Sequence, residues 1–128
     1  MPHLQLELSR DLAANCPVDD ILQALVDELA GRVTVDPKSV KAYARIADQW
    51  AMGPGAPAGF VHLTVCVLEG RTREWESETS DALYRLMTER LGTLANGASV
   101  TLELRRMEAA TYRKAGTAGT DRPEYQRT

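Results

Sequence analysis

Two stretches of helical periodicity, each bracketed by strand-like stretches, constrain the fold more than any other feature of this chain. In "VDDILQALVDELAGR", Ile21, Leu22, Leu25 and Leu29 fall on one helical face. Asp19 and Asp20 sit at its positive end, and Gly31 provides a stop. In "RTREWESETSDALYRLMTERLGTL", Trp75, Leu83, Leu86, Met87 and Leu91 form the apolar side, with Thr72 placed to cap the start. The first helix is preceded by "MPHLQLELS", where Leu4, Leu6 and Leu8 alternate with His3, Gln5 and Glu7. It is followed by "VKAYARIADQW", where Lys41, Tyr43 and Arg45 alternate with Ala42, Ala44 and Ile46. The second helix lies between "FVHLTVCVLEG" and "SVTLELRRM". The former is close to continuously apolar, the pattern of a central strand covered on both faces. In the latter, Val100, Leu102 and Leu104 share one side.

The order is thus β-α-β twice over. It predicts an α+β fold, duplicated β-α-β units forming a four-stranded sheet with two helices on one face. Helices on one side only are expected to leave an apolar sheet surface exposed on the other, and association of protomers is the usual remedy. The Gly- and Pro-rich "MGPGAPAG" reads as a loop. Residues 1–113 are expected to form a single domain, and residues 114–128, polar and rich in Gly and Thr, a C-terminal tail.

With 15 Lys and Arg against 18 Asp and Glu, the chain carries a formal charge of −3, which gives no electrostatic reason to expect nucleic acid or an anionic membrane. No apolar run approaches a membrane span, and the N-terminus lacks a signal-peptide pattern, so a cytoplasmic protein is expected. Cys16 and Cys66 lie far apart, outside any CxxC spacing, and read as reduced thiols. His3 and His62 share no short-spaced ligand motif with them, so no metal site is expected.

Beginning a strand at Pro2 within a doubled β-α-β arrangement of this size resembles the tautomerase superfamily. "MPH", "DQWAM", "FVHLTV" and the "GR" at Gly70 and Arg71 before a long helix sharpen the match. In that order and spacing they are similar to the 5-carboxymethyl-2-hydroxymuconate Δ-isomerase family, from residue 1 to about residue 107. The resemblance implies a cytosolic, cofactor-free isomerase, assembled as a homotrimer with active sites near subunit boundaries. Its amino-terminal proline would be the general base and acid, moving a proton along a conjugated, carboxylate-bearing enol. The implied setting is bacterial degradation of aromatic acids by the homoprotocatechuate meta-cleavage route.

The residues allow that chemistry. A proton-transfer catalyst works best with a pKa near the working pH, and a free α-amino group starts at about 7.7–8.0. Proline's secondary amine is more basic, so burial or nearby cations must lower it. The amine exists only if Met1 is removed, since otherwise the Pro2 nitrogen is a tertiary amide. Arg71, matching the family's arginine before the second helix, is the expected carboxylate ligand through its guanidinium fork. Lys41 stands where the family has arginine. It keeps the charge and loses the fork, which puts the substrate in doubt more than the reaction. Arg45 lies roughly 13 Å along the same strand face, too far to substitute. His3, beside Pro2, is a candidate to tune or position it. Tyr43 and Trp50 are candidates for an apolar wall, with ordinary packing as the competing reading. His62 reads as structural. Two rival functions remain: an enol/keto tautomerase acting on another small acid, which Lys41 favours, and a non-catalytic trimeric binding protein of the same fold.

Overall fold

The computed structural model describes residues 2–115. Its strands are β1 (His3–Ser9), β2 (Lys41–Ala47), β3 (Gly59–Leu68) and β4 (Ala98–Met107). Its helices are the short α1 (Arg10–Ala13), α2 (Val18–Ala30) and α3 (Arg73–Leu91). The four strands form one mixed sheet in the order β2-β1-β3-β4. β1 and β2 run parallel and are linked through α2. β3 and β4 run parallel and are linked through α3, while β1 and β3 meet antiparallel at the centre.

Register explains why both helices lie on one face. Leu4, Leu6 and Leu8 stand opposite Val65, Leu63 and Val61, so one apolar row crosses both central strands. Ala42, Ala44 and Ile46 extend that row on one side, and Val100, Leu102 and Leu104 on the other. Against it pack Ile21, Leu25 and Leu29 of α2 and Leu83, Met87 and Leu91 of α3. Trp75 and Leu86 are only half-buried and sit at the margin of this core. Thr72 caps α3 as its sequence predicts, its hydroxyl accepting from the Trp75 N–H at 3.0 Å. A single helical turn, α1, follows β1 directly.

The opposite face corrects one step of the sequence reasoning. Rather than an apolar surface, it carries rows such as Lys41–His3–Cys66–Arg105 and Tyr43–Gln5–Thr64–Glu103. β3 is central, yet Phe60, His62 and Cys66 on that side are only half-buried in the single chain. Its continuous apolarity therefore reflects one dry face and one mixed face.

One close approach fixes how β3 begins. A Cβ on Gly59 would lie 2.6 Å from the Ser9 Oγ, which accepts the Phe60 N–H at 2.9 Å. A side chain at this position would have to displace the Ser9 hydroxyl and the Asp11 carboxylate, so glycine suits the point where β3 passes the end of β1. Cys16 and Cys66 are free thiols. No described helix is long and apolar enough to cross a membrane.

Candidate active site

Three segments converge at the end of the sheet where β1 begins. The first is the chain around Pro2, which is buried and whose carbonyl accepts the Lys41 N–H at 3.2 Å. Its neighbour His3 then stands between Lys41 of β2 and Cys66 of β3. The second is the exit of β2's loop: the Lys41 ammonium donates to the Ser39 carbonyl at 3.2 Å. The third comes from the far end of the chain. Beyond β4 a 3-10 turn at Ala109–Thr111 carries the chain across the end of the sheet, and its Ala109 N–H is fixed by the Glu69 carboxylate at 2.8 Å. That places Tyr112 on His3, with Oη and Nε2 sharing a hydrogen bond of 3.0 Å and the rings edge-on at 6.0 Å.

The electrostatics of this corner all point one way. Burial, then the charge of Lys41, pulls the His3 imidazole below its ordinary value and keeps it neutral. Burial, then the charge of Lys114, lowers the Lys41 ammonium in turn. Burial raises the Tyr112 phenol, which stays protonated. Neither Lys41 nor Lys114 takes part in a salt bridge among the described residues. Two cations are thus gathered here with no ion-pair partner among the described residues, an arrangement that favours a bound anion and lowers the basicity of a neighbouring amine.

Arg71 sits at the same end of the sheet, past the end of β3, but its guanidinium is engaged by the chain itself. Nε donates to the Thr34 hydroxyl at 3.0 Å, one terminal nitrogen to the Thr34 carbonyl at 2.9 Å and the other to the Leu68 carbonyl at 3.0 Å. Its plane lies over the Trp75 ring at 4.8 Å, and the Trp75 indole N–H donates to the Val33 carbonyl at 2.8 Å. Together they hold Thr34 at φ 72°, left-handed backbone that a β-branched residue rarely adopts. Arg71 therefore clamps the loop after α2 to the start of α3.

The remaining sequence candidates are dispersed. Tyr43 lies midway along the open face with the Arg45 guanidinium 5.3 Å from its ring centroid. Trp50 belongs to the loop at the opposite end of the sheet, its indole N–H donating to the Ala58 carbonyl at 2.9 Å, near an Arg10–Asp48 ion pair. Within one chain it does not approach Pro2. His62 is paired with the Thr101 hydroxyl at 2.6 Å. A groove of about 700 Å³ between α3 and β4 lies on the helix side of the sheet, spanned by a two-pronged Arg106–Glu76 pair at 2.6 and 2.7 Å. It shares no residue with the Pro2 corner. No group of three or more His, Cys, Asp or Glu residues suited to a metal occurs among the described residues.

Two parallel β-α-β pairs joined antiparallel, with a strand starting directly after a buried Pro2, define a tautomerase-fold protein. A crystal structure of 5-carboxymethyl-2-hydroxymuconate Δ-isomerase superposes with a TM-score of 0.73 at 20% identity, covering 91% of this chain and 87% of that one. The 5-carboxymethyl-2-hydroxymuconate isomerase of Deinococcus radiodurans R1 gives 0.70 at 26% identity, over 93% and 86%. A symmetric trimer of fused 4-OT gives 0.61 at 20% identity, over 98% and 99%. No curated protein sequence matches the chain. The chain belongs to the 5-carboxymethyl-2-hydroxymuconate isomerase family, whose model it matches over residues 2–118.

Proposed function

We propose that this protein is a cofactor-independent isomerase that moves a proton along a carboxylate-bearing dienol such as 5-carboxymethyl-2-hydroxymuconate, with Pro2 as general base and acid. The observation that carries the reading is the Pro2 corner itself: a buried proline flanked by a neutral His3 and by Lys41, within a chain of this family. With Met1 removed, the same burial and charge that lower His3 and Lys41 lower the Pro2 amine toward working pH.

The uncharged ring nitrogen accepts the proton of the enol hydroxyl. The O–H electron pair becomes the ketone C=O bond, the conjugated double bonds shift by one position, and the protonated nitrogen returns a proton to carbon. The step is redox-neutral and balances without a cofactor. Lys41 holds a substrate carboxylate, and Arg71, at the same end of the sheet, is the second candidate ligand for the substrate. His3 positions Pro2, and Tyr43 borders the substrate on the open face.

The protein acts as a cytoplasmic homotrimer on this reading. A sheet face built of charged and polar rows suits specific pairing with other copies, and one relative of the same fold is a trimer. Trp50, at the far end of the sheet, contributes to a site only from another subunit. Lys41 favours a second substrate assignment, a smaller enol acid with a single carboxylate, because an ammonium lacks the two-pronged grip of arginine.

Pro2→Ala tests the assignment. It is expected to cut kcat by about 100-fold or more while the oligomer, followed by sedimentation, stays intact. Unchanged kcat would remove Pro2 from the mechanism.

A further inference from the structure

We propose that Lys114 is a substrate-binding residue, delivered by the C-terminal strap to form a two-ammonium carboxylate subsite with Lys41. The proposal rests on the isomerase reading for its substrate class and on geometry for its site. Two contacts anchor the strap on either side of its turn: Glu69 to the Ala109 N–H at 2.8 Å, and Tyr112 to His3 at 3.0 Å. The 3-10 turn lies between them, and the chain leaves it extended at Tyr112, φ −96° and ψ 128°. In extended backbone, side chains two residues apart point the same way. Burial follows that alternation, with Tyr112 and Lys114 half-buried and Thr111, Arg113 and Ala115 exposed. Lys114 is therefore turned toward the surface on which Tyr112 lies, the His3–Lys41 edge of the sheet.

Two ammonium groups on the same edge of the sheet repel each other, and no carboxylate among the described residues forms a salt bridge with either. Lys41 spends one donor on the Ser39 carbonyl, and Lys114 makes no hydrogen bond among the described residues. A carboxylate with two oxygens answers both. One ammonium on each oxygen restores the two-point grip that a single lysine lacks, with no guanidinium needed. The subsite is then selective for a substrate with a second carboxylate beyond the one at the reacting end. Tyr112 acts as a positioning residue, because its bond to His3 sets where the strap lies.

The test is calorimetric titration of the intact protein with homophthalate, an aromatic dicarboxylate, and with phenylacetate, its monocarboxylate counterpart. Wild-type protein is expected to prefer homophthalate. Lys114→Gln should weaken homophthalate binding roughly tenfold and leave phenylacetate unchanged. Lys114→Arg, which keeps the charge, should restore the preference, and Tyr112→Phe should reduce it partly. Arg90→Gln removes an equal charge from an exposed position on α3 and should change neither ligand. A Lys114→Gln protein that retains the wild-type preference overturns the subsite, as does a wild-type protein without any preference. Because the titration needs no turnover, failure to ketonise the dienol would sink the isomerase reading separately from Lys114.

Discussion

On one face of the sheet, Leu4, Leu6, Leu8, Leu63 and Val65 are fully sealed beneath α2 and α3. One residue along the same strands, the other face presents His3, Gln5, Glu7, His62 and Cys66, only partly covered in the single chain. Both faces come from one alternating sequence. The difference shows that β1 and β3 present two unlike surfaces: the even residues of β1 and the odd residues of β3 hold the domain together, while their alternate neighbours carry charged and polar side chains. A change on the first face should read as lost folding. A change on the second should read as altered association or catalysis.

The largest effect expected comes from testing that division directly. Leu63→Ala should cost about 2–5 kcal/mol in chemical denaturation, at every protein concentration. Gln5→Arg, from the open face, should leave the unfolding of the monomer nearly unchanged and instead weaken self-association in sedimentation experiments. If both variants lost the same folding stability, the open face would be a core and the division would fail.

Arg71 blurs the boundary, since it is both a candidate ligand and a clamp on strained Thr34. Arg71→Ala should raise KM and also lower stability by about 1–3 kcal/mol through lost charged hydrogen bonds, partly offset by relaxation of the Thr34 backbone. Arg71→Lys should recover less stability than charge alone would suggest, because one ammonium nitrogen cannot span the acceptors that three separate guanidinium nitrogens reach. A KM effect with no change in the melt would mean the clamp contributes nothing to folding.

A smaller effect probes a flaw in the dry face. Thr79 of α3 is fully buried, and its hydroxyl has no partner among the described residues. Thr79→Val keeps the shape and removes the stranded hydroxyl, and should raise stability by about 1 kcal/mol. Loss of stability instead would mean that the hydroxyl is satisfied.

The smallest effect should be the pH response of His3. Its imidazole titrates below its unfolded value, so the unfolded chain binds more protons as the pH falls through the ordinary histidine range near about 6.5. Stability should therefore decline on the acid side, and His3→Gln should flatten that decline without moving stability at neutral pH by much. A steeper acid limb in His3→Gln would reverse the sign.

The fold was largely legible because alternation and helical periodicity are local. Leu4, Leu6 and Leu8 announce β1 by themselves, and Thr72 announces the start of α3. The character of the open face was readable too, in Lys41, Tyr43 and Arg45, yet an apolar surface was inferred from the one-sided helices. The alternation itself contradicts that inference, since a strand that hides its leucines must show its polar neighbours. The site was legible only in part. Pro2, Arg71 and Lys41 drew attention through resemblance to a family, because a lone proline or arginine has no periodicity to mark it. Tyr112 and Lys114 could not be found that way. Tyr112 reaches His3 across 109 residues of sequence, and only the length of β4 and the turn after it bring the two together. Thr34 was likewise invisible, because its backbone is set by Arg71 and Trp75 from a distant segment.

The central claim is that the Pro2 amine carries the proton. The most direct measurement joins an intact mass of the untagged protein to an ultraviolet assay of 5-carboxymethyl-2-hydroxymuconate ketonisation on the same sample. The account predicts a chain short by one methionine that ketonises the dienol with saturation kinetics. Ketonisation by a chain that retains Met1, whose Pro2 nitrogen is an amide without basicity, would contradict it.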